Sequence, residues 1–74
     1  MAIYANLSGQ SNVRSYEAGI GWITVTFGDR KNYTYTDRSA GPHNILQMQR
    51  LARAGRGLNG FINTNVKYRY ESKR

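Results

Sequence analysis

The stretch "IGWITVTFGDRKNYTYT", residues 20–36, decides the fold. Ile23, Val25 and Phe27 fall on one side of an extended chain, and Trp22, Thr24 and Thr26 on the other, the period-two pattern of a half-buried strand. A short polar turn, "GDRK", follows. Then "NYTYT" repeats the alternation, with Tyr33 and Tyr35 on one face and Asn32, Thr34 and Thr36 opposite, so the two runs read as a β-hairpin. Working outward, "NVRSYEAG" offers a shorter strand around Val13 to Tyr16, which the region Gly19 to Gly21 turns back into the hairpin.

Downstream the period changes. Pro42 suits a first helical turn, Ser39 or Gly41 can cap it, and Ile45, Met48 and Ala52, flanked by Leu51, form an apolar stripe at helical spacing. Gly55 or Gly57 ends the helix. Next, "NVKYRY" alternates again, placing Val66, Tyr68 and Tyr70 on one face and Lys67 and Arg69 on the other, which predicts a last strand. Tyr68 and Tyr70 are then expected to pack under the helix. The order strand, strand, strand, helix, strand predicts an α+β fold: a small antiparallel β-sheet of three to four strands with one main α-helix packed on one face. The opposite face, carrying Trp22, the threonines and the outward side of the last strand, is left open.

With 74 residues the chain makes one small domain, whose core holds only a few apolar side chains, and oligomerisation would help it. It has no cysteine, which excludes disulfides and thiolate zinc sites. The segment "MAIYANLSGQ" lacks the basic start and apolar run of a signal peptide, and no apolar stretch is long enough to span a bilayer. The expectation is therefore a cytoplasmic protein without a membrane partner. The segment "YANLSGQSN" reads as loose or extended.

Charge points to the partner. The formal net charge is +7, and it is concentrated late in the chain. From residue 50 onward Arg50, Arg53, Arg56, Lys67, Arg69, Lys73 and Arg74 face only Glu71, whereas the earlier cations nearly balance Glu17, Asp29 and Asp37. Such asymmetry favours a polyanion, although a solubilising surface and, for the arginines after residue 50, the negative end of a helix dipole account for part of it. In "RAGRGLNGFINTNVKYRY" glycines permit a concave turn with inward N–H groups, an anion seat. Arg53 and Arg56 share one side of a terminal helical turn, and Asn59, Asn63 and Asn65 offer amides to a base edge or a sugar. The plainer alternative is that the glycines only end the helix and the asparagines make local turns. The candidate ligand residues are Arg50, Arg53, Arg56, Asn59, Asn63, Asn65, Lys67 and Arg69. Trp22, Tyr16 and Tyr4 are the candidates for stacking on a base or for an interface.

Equipment for catalysis is thin. His43, the single histidine, follows Pro42 in the first helical turn, and Asp29 and Asp37 lie in or beside turns. No metal-ligand set, Walker motif or cofactor motif is present, so the expectation is a non-enzymatic protein without cofactor.

Taken together, "WITVTFGDRKNYTYTD", a proline-started helix and "GLNGFINTNVKYRY" resemble the KTSC domain. This is a short family named from its occurrence at the C-terminal end of some lysyl-tRNA synthetases, and it also occurs as free-standing small proteins of bacteria and phages. The residues that carry the resemblance are Val25, Phe27, Tyr33, Tyr35, Pro42, Gly60, Phe61, Asn63, Val66 and Tyr70. Gly41 stands where the pattern has an aliphatic residue, and the glycine joint is richer in Gly and Arg. The resemblance implies an N-terminal extension over residues 1–11, a single domain over 12–71 and a basic tail over 72–74. It also implies a small, non-catalytic binding domain. Two classes of function follow. One is binding of a phosphate-bearing nucleotide, as a phage-type sponge that sequesters a nucleotide immune signal or as an RNA- or DNA-binding accessory module. The other is protein docking through the open sheet face. Concentration of the cations at one joint leans toward a discrete pocket in a homo-oligomer.

Overall fold

A computed structural model describes residues 2–4, 12–28 and 30–73. The expected hairpin is its centre. Strands β3 (Trp22–Phe27) and β4 (Asn32–Thr36) pair antiparallel with Ile23 opposite Tyr35 and Val25 opposite Tyr33. Ile23, Val25 and Tyr35 are fully buried, because the period-two alternation puts them all on the face that the helices cover. On the other face Thr24 Oγ1 and Thr34 Oγ1 lie 2.9 Å apart, and the Thr26 hydroxyl donates to Asn32 Oδ1 at 2.5 Å. The open face is thus knitted by its own polar side chains.

Strand β2 (Val13–Gly19) runs the whole length of β3, further than the short strand expected around Val13 to Tyr16. An irregularity between Val13 and Ser15 admits Arg14. Two-residue edge strands complete an antiparallel meander in sequence order: β1 (Ala2–Ile3) on β2, and β5 (Ser72–Lys73) on β4. Residues assigned in sequence to an extension and a tail are therefore partly built into the sheet. Residues 5–11, Asp29 and Arg74 lie outside the described residues.

Thr36 turns the chain from β4 into helix. Its Oγ1 accepts from Ser39 N at 3.2 Å while Ser39 Oγ accepts from Thr36 N at 3.0 Å, a reciprocal cap that starts the short helix α1 (Asp37–Ala40). Gly41, at φ 93°, redirects the chain, and Pro42 opens the main helix α2 (Pro42–Ala54). Ile45, Met48 and Ala52 are its buried residues, as the stripe predicted, and Gly55 ends it at φ 79° by donating its N–H to Leu51 O and Ala52 O.

The last expected strand is a correction. Residues after Gly57 form α3 (Leu58–Phe61), which continues into a π-helical segment (Ile62–Val66). Leu58, Ile62 and Val66 are buried, and the sheet's inner face beside α2 is the surface they close. Four-residue spacing drifts about 40° per step on an α-helix, so a wider π turn is what lets the third residue keep facing inward. Alternation in "NVKYRY" competed with this helical period and lost, since an edge strand there would leave that part of the core uncovered. Tyr70 does pack, edge-on to Tyr33 at 5.0 Å, but Tyr68 is 79% exposed and lies under no helix.

Candidate functional site

Two helical spacings of four bring one row of side chains together. Asn59, Asn63 and Lys67 stand one position after Leu58, Ile62 and Val66, so the inward anchoring of that triplet aims its neighbours along the rim. They form one wall of a cleft of about 370 Å³. Phe27, Tyr33 and Tyr35 from the sheet form its floor, Asn12 closes one end, and Tyr68, Tyr70 and Lys73 complete the rim.

The aromatic floor is ordered by edge-to-face contacts. Phe27 meets Tyr33 at 5.1 Å between ring centroids, and Tyr70 meets both Tyr33 and Tyr35. Two ammonium groups sit over the rings: Lys67 Nζ lies 5.4 Å from the centre of Tyr68, and Lys73 Nζ lies 5.4 Å from that of Tyr33. Burial pushes the Tyr35 hydroxyl well above the ordinary tyrosine pKa, with Tyr33 and Tyr70 adding to it, so Tyr35 stays a neutral donor at the base of the cleft. No carboxylate or imidazole lines this cleft among the described residues. Cations, amides and rings together can hold an anionic, planar ligand.

The sequence-selected residues divide between surfaces. Asn59, Asn63 and Lys67 line the cleft. Arg50, Arg53 and Arg56 are exposed at the end of α2 and do not, and Arg53 lines a separate groove instead. Arg69 is exposed, and the Asn65 amide is engaged locally by Phe61 O at 3.2 Å and Thr64 Oγ1 at 2.9 Å. Within the glycine joint Gly55 N serves the end of α2 and Leu58 N donates to the Tyr4 hydroxyl at 3.3 Å, while Phe61 N serves Gly57 O. Tyr4 is accordingly a core residue, 3% exposed, that caps α3, and it presents no free ring. Trp22 is half-buried with its indole laid across Gly19, and Tyr16 is half-buried beside the groove that holds Arg53. His43 is exposed at the start of α2.

Sequence reasoning missed Asn12, Phe27, Tyr33, Tyr35, Ile62 and Lys73 as lining groups, and placed Tyr68 and Tyr70 only in packing. They come from distant parts of the chain that only the sheet register assembles. The repeat Asn59, Asn63, Lys67 beside Leu58, Ile62, Val66 was the available signal. The chain matches no family model, no curated protein and no solved structure. No helix among the described residues is long and apolar enough to cross a membrane.

Proposed function

We propose that this is a non-enzymatic binding protein for a phosphate-bearing nucleotide, held in the cleft between the sheet's inner face and the π-helical segment. The observation that carries the reading is the meeting of four tyrosines, Phe27, two lysines and three asparagines around one small cleft. Its volume of about 370 Å³ is in the range of small-ligand pockets. Lys67 and Lys73 supply the phosphate charge, the asparagine amides donate and accept toward a base edge or sugar, and the exposed Tyr68 ring supplies a stacking face. The rings of Tyr33 and Tyr70 are already engaged with each other and frame the site instead.

The KTSC resemblance belongs with this proposal, since it implies a small binding domain without chemistry. Sequestration of a nucleotide immune signal is the form of the proposal that its phage-borne members suggest. Arg50, Arg53 and Arg56, exposed outside the cleft, favour a second reading in which a longer RNA or DNA strand crosses the end of α2. Native mass spectrometry of the purified protein, intact and then denatured, separates the two. A stoichiometric small nucleotide supports the first reading and heterogeneous nucleic acid the second. Failure to bind nucleoside phosphates or cyclic oligonucleotides at micromolar protein in low salt would sink the first.

A further inference from the structure

A second groove, of about 700 Å³, lies between the β2–β3 turn and α2 and shares no lining residue with the cleft. Ile20 at the turn tip is fully exposed and Leu46 on α2 is 64% exposed, and both line this groove. One exposed aliphatic residue is ordinary, but two bordering the same groove form a patch. Gln49 Nε2 donates to Gly19 O at 2.7 Å and to Trp22 O at 2.9 Å, which pins the turn to the helix and fixes the groove's shape before anything enters it.

Two further features select the occupant. The first is a free stretch of sheet edge. Tyr4 N donates to Arg14 O, and β1 pairs with Ser15 and Tyr16, so alternation along β2 turns the backbone N–H and C=O of Ala18 to that same edge. No described residue pairs with Ala18 there. An unpaired donor and acceptor side by side suit the backbone of an extended peptide and give nothing to an acyl chain. The second feature is charge of one sign. Glu17 stands opposite Thr24, which puts its side chain on the open sheet face, so Arg53 supplies the charge of the groove. Arg53 is exposed and among the described residues makes one hydrogen bond, from Nε to Gln49 O at 3.3 Å, which leaves the outer edge of its guanidinium for a carboxylate. It follows Leu46 by seven positions, about 10 Å along the helix, a distance that an extended chain covers in about three residues. We propose that the groove takes an extended acidic segment of a partner protein, added as a strand beside Ala18. An aliphatic side chain of that segment packs between Ile20 and Leu46, and a carboxylate three residues away pairs with Arg53. No part of this inference depends on the nucleotide cleft.

Selection from a displayed library of random peptides about eight residues long, on the full chain and in about 0.15 M salt to screen its general field, tests the proposal. The wild type should enrich an aliphatic residue three positions from Asp or Glu. Arg53→Glu should change the acidic position to Lys or Arg, and Leu46→Asp should abolish enrichment, both at exposed positions and with unchanged circular-dichroism spectra. Arg38→Glu makes the same change of charge on α1, outside the groove, and should enrich the wild-type pattern. A synthetic peptide of that pattern should shift the amides of Ala18, Ile20 and Arg53 in the ¹⁵N-labelled protein, and should bind Arg53→Glu about tenfold or more weakly. Absence of any enriched pattern, the same acidic pattern on Arg53→Glu, its loss on Arg38→Glu, or shifts centred on the nucleotide cleft would each overturn the proposal.

Discussion

Gly19 leaves the space in which the Trp22 indole lies: a Cβ built there would stand 2.7 Å from Trp22 Cε2. Gly19→Ala must therefore push the ring off the strand. The expected result is a red-shifted fluorescence spectrum from the single tryptophan and a loss of about 1–3 kcal/mol in denaturant unfolding. Tyr35 sets the alkaline limit. Its hydroxyl has a folded pKa raised above the ordinary value of about 10, so the fold favours the neutral form. That contribution is complete below about pH 10 and is lost as pH rises through the folded pKa. Stability measured by urea titration should fall with pH above about 10, and Tyr35→Phe should flatten that fall.

At the scale of elements, glycine position separates caps from helix interior. Gly55→Ala forces a side chain into the left-handed region and should cost about 1–2 kcal/mol. Gly60 lies inside α3 with open space where a Cβ would go, so Gly60→Ala should raise stability by up to about 1 kcal/mol. Thermal and denaturant unfolding of both variants checks the pair, and destabilisation by Gly60→Ala would count against a helix there. The hairpin and α2 were legible because each carries a single unambiguous period, and Tyr35, Ile45 and Met48 had one possible inward face. Residues 58–70 carry two periods at once. Val66 and Tyr70 fit an alternating strand, while Leu58, Ile62 and Val66 fit a helix only if one turn widens. Which period wins depends on the gap left beside α2, a tertiary fact that local pattern does not contain. The same ambiguity hid half the site: Asn59, Asn63 and Lys67 were legible as polar groups, but their wall was not.

Across the whole molecule the cations split between two surfaces, so net charge alone overstates the size of the site. Lys67 and Lys73 border the cleft, while Arg50, Arg53 and Arg56 mark the end of α2. Lys67→Gln should weaken nucleotide binding by about tenfold, and Arg56→Gln by no more than about twofold, in calorimetric titrations at fixed ionic strength. Equal losses would place the ligand on the helix end or on the general field of the protein. The most direct test is a titration of the ¹⁵N-labelled protein with ADP, followed by amide chemical shifts. The account predicts saturable changes confined to residues around Phe27, Tyr33, Asn59, Asn63, Lys67 and Tyr70. Changes centred on Arg50, Arg53 and Arg56, or shifts that vanish at physiological salt without saturating, would contradict it.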